Sequence, residues 1–112
     1  MKIDLKLSTE SLLAATSLLS MLYGDSWHCI DAQQTAIKSI GYDVFDKFDS
    51  KAKAVRKNAN LFTSKKTTKI ALKHHEAWAL EKIMIGLIGF ATNEYCELQI
   101  QTIIDVLNQK LA

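Results

Sequence analysis

Between Lys2 and Leu7 polar and apolar residues alternate, with Ile3, Leu5 and Leu7 on one side, the period-two signature of a half-buried strand. Ser8 or Thr9 then caps a helix. Glu10 stands in its first turn, where a negative charge complements the helix dipole, and Leu12, Ala15, Leu19 and Leu22 recur at three- and four-residue spacing. Leu13, Leu18 and Met21 widen that stripe until Gly24 offers a stop. Asp25 or Ser26 is placed to cap a second, shorter helix in which Ile30, Ile37 and Ile40 align before Gly41 ends it. Beyond this glycine, Phe45, Phe48, Ala52, Val55 and Ala59 predict a third helix from about Asp43 to Asn58.

Asn60 to Thr68 has no period and reads as a turn or short hairpin. Lys69 to Lys73 alternates again, with Ile70 and Leu72 pointing one way, and predicts a second strand. A fourth helix follows from His75 to Phe90, polar on one side at first and apolar all round from Ile83 to Ala91, which predicts a central position. Thr92 or Asn93 caps a fifth helix, where Cys96, Ile100, Ile103, Leu107 and Leu111 hold heptad-like spacing.

The resulting fold class is mainly α: one small domain, residues 1–112, of about five helices with a minor two-stranded β element, α+β at the margin. Lys2-Ile3-Asp4-Leu5-Lys6 resembles Lys69-Ile70-Ala71-Leu72-Lys73, and each stretch precedes a Glu and an apolar helix. A degenerate strand–helix repeat is one reading. The plainer and preferred one is that any short amphipathic strand before a helix looks this way. Either way two short strands need a partner, so they are expected to pair with each other or with a second subunit. The broad apolar faces of the last two helices point to a homo-oligomer.

Composition narrows the class without changing it. At 112 residues, 48% apolar and 23% charged, the chain supports a single folded domain, not a disordered segment. Four glycines and no proline suit helices joined by short turns. Two cysteines, Cys29 and Cys96, form no disulfide framework or ligand quartet, which suits a reducing, cytoplasmic setting. The uncharged stretch between Lys82 and Glu94 is about half the roughly 20 residues of a membrane span. Asp4 and Glu10 interrupt any leader-like n-region, so no signal peptide or membrane partner is expected.

Charge departs from the ordinary. From Lys47 to His75 nine cations face the single acid Asp49, while the rest of the chain is acidic. A net charge of +2 therefore hides a basic middle between acidic flanks. Lys51, Lys53, Arg56, Lys57, Lys65, Lys66, Lys69 and Lys73 are the expected partner- or phosphate-binding residues. Trp27, beside the second helix, is either a local hydrophobic staple or an interface anchor.

Catalytic chemistry is poorly supported. His74 and His75 are adjacent, so they diverge by about 100° on a helix and cannot chelate as a pair. His28 beside Cys29 raises a thiol nucleophile with its base, but neighbours in sequence rarely have the required geometry, and a buried structural cysteine is the preferred reading. Asp43, Asp46 and Asp49 read as a solvated stripe with Asp43–Lys47 and Asp49–Lys53 pairs. No phosphate loop or nucleophile elbow occurs. No enzymatic activity, cofactor, metal or small-molecule substrate is expected.

Two function classes remain. The first is a protein-interaction or regulatory module, an oligomeric regulator or inhibitor-type accessory protein of the kind low-GC bacteria and their viruses encode. The alternative is a nucleic-acid-binding protein contacting phosphates through segment 47–75, with Asn58, Asn60, Thr63, Ser64, Thr67 and Thr68 as neutral donors. Against it, Phe62 is the only aromatic between Phe48 and Trp78, and the glycine offset of a helix-turn-helix is missing.

Overall fold

The alternating residues at the start of the chain form strand β1, Lys2–Ser8, whose exposed and buried positions follow the predicted alternation. The computed structural model describes residues 2–23, 31–57, 67–91 and 93–111. Ser8 ends β1 and begins helix α1, Thr9–Leu19, its side chain accepting from the Ser11 N–H at 3.1 Å. A 3₁₀ turn, Ser20–Tyr23, closes this segment. Helix α2 spans Ala32–Lys57, strand β2 Thr67–Lys73 and helix α3 His74–Leu87. A second 3₁₀ turn, Ile88–Phe90, leads to helix α4, Glu94–Leu111.

The two strands pair with each other, antiparallel, from Lys2↔Lys73 to Ser8↔Thr67. Ile3, Leu5, Leu7, Ile70 and Leu72 enter the core from this sheet and meet Leu12, Leu19, Leu80, Ile83 and Ile103 from the helices. Helices α1 and α3 lie against both their neighbours α2 and α4, so the four helices form a ring with the sheet against it. Among the described residues no helix is long and apolar enough to cross a membrane.

Among the described residues there are four helices, not five. Gly41 does not end a helix; it lies buried inside α2, a continuous 26-residue helix. A Cβ on Gly41 would lie 2.5 Å from Ile83 Cδ1 and 2.7 Å from Leu22 Cδ1. The glycine is therefore a point of close approach between α2, α3 and the end of the first 3₁₀ turn, a use that sequence alone does not separate from a C-cap. The helix begins after Asp31, whose Oδ1 accepts from the Gln34 N–H at 2.9 Å. The expected caps Asp25 and Ser26, and Ile30, lie outside the described residues.

The segment from Ile83 to Ala91 is also not buried all round: Ile85 and Phe90 are exposed. The ring leaves one side of every helix facing outward, and α3 is no exception.

The order strand, helix, 3₁₀ turn, helix occurs twice. Strand starts Lys2 and Thr67, and helix starts Thr9 and His74, are each 65 residues apart. That spacing, rather than the 67 at which the two strand sequences look alike, relates the halves. Leu5 and Ile70 correspond at this spacing and also pair directly, so a local two-fold axis runs through the middle of the sheet.

Candidate functional site

Each strand is flanked by the second helix of one half, and the two resulting grooves occupy equivalent positions. The β1 groove is lined by Leu5, Lys6, Leu7, Ser8, Ser11, Gln99, Thr102, Ile103 and Val106 and encloses about 280 Å³. The β2 cleft, about 650 Å³, is lined by Asp4, Asp46, Lys47, Ser50, Lys51, Lys69, Ile70 and Ala71. Positions 47, 50 and 51 on α2 match 99, 102 and 103 on α4 at a constant spacing.

The correspondence extends to one polar contact. Beside β2, Lys47 Nζ of the first half donates to Glu76 Oε1 of the second at 2.7 Å, and the Lys73 N–H reaches the same oxygen at 2.9 Å. Beside β1 the Ser11 hydroxyl of the first half donates to Gln99 Oε1 of the second. Glu76 is 5% exposed. Burial pushes its carboxyl up, but the Lys47 hydrogen bond, the Lys73 N–H and the charges of Lys47 and His75 outweigh that and hold it below its ordinary value. Glu76 thus joins α2, β2 and α3, and the expected Asp43–Lys47 pair gives way to it. The other expected pair, Asp49–Lys53, forms at 3.0 Å.

The structure divides the basic segment. Lys51 and Lys69 line the β2 cleft, whereas Lys53 lies about 200° around α2 from Lys51. Arg56 is exposed further along the helix. Lys73 stands on the outer face of the sheet. Lys65, Lys66 and Trp27, with His28 and Cys29, lie outside the described residues, as does the side chain of Lys57. His74 and His75 are exposed at the start of α3, and no cluster of metal-ligating groups occurs among the described residues.

Two surfaces escaped the count of charges along the chain. The outer face of the sheet carries Lys2, Asp4, Lys6, Lys69, Ala71 and Lys73, all exposed, with Asp4 paired to Lys69 at 3.3 Å. Its signal was the strand alternation itself, since residues opposite Ile3, Leu5, Ile70 and Leu72 must face out. The second surface is the end where α3 turns into α4: Ile85 is 52%, Phe90 49%, Tyr95 54% and Leu98 63% exposed. Beside it Ala14, Met21, Phe90, Cys96 and Ile100 line a shallow hollow between α1 and α4. The Tyr95 hydroxyl donates to Glu10 at 2.9 Å, which holds the phenol above its ordinary range.

No protein-family model, curated protein or solved structure matches this chain. Its surfaces therefore carry the functional argument.

Proposed function

We propose that this chain is a non-enzymatic interaction module, acting in the cytoplasm, that associates with a second copy of itself through the end of the α3–α4 hairpin. The observation that carries this reading is the exposed apolar group Ile85, Phe90, Tyr95 and Leu98, which spans the last turn of α3, the 3₁₀ turn and the first turns of α4. Scattered exposed apolar residues are ordinary; four large ones within fourteen residues of chain around a single helix–helix connection are the feature that supports a contact surface. Two aromatic rings and two branched aliphatic side chains supply the apolar anchors that interfaces use. Leu98 has acidic neighbours on the same helix, Glu94 and Asp105, which provide a polar rim.

Sedimentation equilibrium at micromolar concentration tests the reading. The native protein should run as a dimer. Leu98→Glu with Phe90→Glu should run as a monomer that keeps the native helical circular dichroism, because both side chains are about half or more exposed. A monomeric native protein, or a variant that dimerises as well as the native one, would refute it.

A further inference from the structure

The outer face of the sheet has a feature that folding does not explain. Register places Lys2 directly opposite Lys73, and Lys6 directly opposite Lys69. Like charges in such positions repel and weaken strand pairing. Asp4 offsets them in part through its contact with Lys69, and Asp46 of α2 lines the cleft at that end of the face together with Lys47 and Lys51. Ala71, opposite Asp4, is the sole apolar residue among the outward-facing positions.

We infer that this face binds the phosphate backbone of double-stranded DNA, with Lys2, Lys73, Lys6 and Lys69 as its contacts. A protein partner fits poorly, because interface cores are depleted of lysine and need an apolar or aromatic anchor, which this face lacks. Backbone binding needs neither; lysine ammonium groups neutralise phosphates and release counterions. Single-stranded nucleic acid fits less well than a duplex, since among the described residues no aromatic ring stands on the outward positions of the two strands to stack unpaired bases.

Spacing favours the B-form duplex. The two lysine rows are four residues apart along the strands, or about 13–14 Å, close to the roughly 12 Å width of the DNA major groove. One row then meets the phosphates on each side of the groove. The Asp4/Ala71 row lies over the groove between them, where no phosphate opposes the carboxylate. The deep, narrow major groove of an RNA duplex does not offer this spacing. Lys2 and Lys6 belong to this site although they are remote in sequence from the basic segment, and Lys53 and Arg56 do not. The surface is separate from the apolar end, since Ile85 follows Lys73 by three turns of α3, so a dimer would carry two such faces.

Fluorescence anisotropy with a labelled random-sequence duplex, titrated at several salt concentrations, tests the inference. Affinity should fall about a hundredfold between 50 and 200 mM salt, as displacement of counterions from four phosphates requires. Changing all four lysines to Gln should weaken binding by about tenfold or more at low salt and flatten the salt dependence. Each single-row variant, Lys2→Gln/Lys73→Gln or Lys6→Gln/Lys69→Gln, should remove about half of the slope. Lys53→Gln/Arg56→Gln should bind like the native protein. Circular dichroism verifies folding, and the single-row variants serve if the fourfold variant does not fold. The inference fails if the native protein does not bind duplex at 50 mM salt or if the lysine variants bind with an unchanged slope. Tighter binding to single-stranded DNA, duplex RNA or polyglutamate than to duplex DNA would also overturn it.

Discussion

The two strand–helix grooves hold equivalent places in the fold and are built from opposite chemistry. Beside β1, Ile103 is buried and Val106 half-buried, and the polar link is the neutral Ser11–Gln99 contact. Beside β2, Lys51 takes the place of Ile103 and Ala54 that of Val106, and the polar link is the Lys47–Glu76 ion pair. The first groove is the smaller and has core residues such as Leu5 and Ile103 in its walls, whereas the second is a wider, charged cleft. A backbone position thus sets which elements meet, while the residue filling it decides whether the junction excludes water. The neutral junction needs only its hydrogen bond, whereas the ionic one depends on both partners, because a buried carboxylate left alone is costly.

The largest expected effect comes from charging the closed groove. Ile103→Asp places a carboxylate at a site that is 1% exposed, and should cost about 4 kcal/mol or more and abolish the cooperative melt. Its counterpart Lys51→Asp, on the open cleft, should shift stability by no more than about 0.5 kcal/mol. Equal effects in a urea titration would break the comparison.

Removing one partner of the ion pair comes next. Lys47→Met leaves Glu76 with the Lys73 N–H alone and should cost about 2 kcal/mol, below the value for fully buried pairs because Lys47 keeps 41% of its side-chain surface exposed. Acid adds a second measurement. Since the folded-state value of Glu76 lies below its ordinary 4.5, the carboxylate contributes stability that is complete above that pH and is lost as pH falls through the lowered value. Melts taken between about pH 6 and pH 3 should therefore decline more for the native protein than for Glu76→Gln. Parallel curves would show that the pair does not carry the acid sensitivity.

Gly41→Ala should be moderately destabilising, by about 1–2 kcal/mol, because its methyl group must displace Ile83 and Leu22 while alanine recovers part of the loss through helix propensity. Gly89→Ala meets no atom within 4 Å and should change the midpoint by about 0.5 kcal/mol at most. The smallest effect tests equivalence directly. Ser11→Glu and Gln99→Lys, each destabilising alone, should recover about 1 kcal/mol when combined, as measured in a double-mutant cycle. Strict additivity would show that the first junction cannot hold an ion pair.

The alternation of Ile3, Leu5 and Leu7, and of Ile70 and Leu72, was legible because period two requires only a strand with one dry face. The stripe of α1 and the Asn93 cap of α4 were legible for a similar reason: they are local. Gly41 misled because a glycine signals either a chain end or a close approach, and the difference lies in Leu22 and Ile83, which are distant in sequence. Glu76 stands in the first turn of α3, a local and ordinary place for an acid, but its burial under Lys47 depends on how α2 crosses α3. The lysine face and the apolar end were equally hidden, since neither is contiguous in a way that a charge or hydropathy count detects.

By itself the sequence determined the elements that local periodicity and capping specify: two short amphipathic strands, helices with broad apolar stripes and a charge distribution concentrated in the middle of the chain. Tertiary structure alone decided that two of the expected helices are one, that the strands pair about a local two-fold, and that Lys2 and Lys6 lie beside Lys73 and Lys69 while Lys53 does not. The physical reason is range. Helix propensity, caps and alternation act over a few residues, whereas the meeting of side chains about 65 positions apart is set by how all the apolar faces bury one another together.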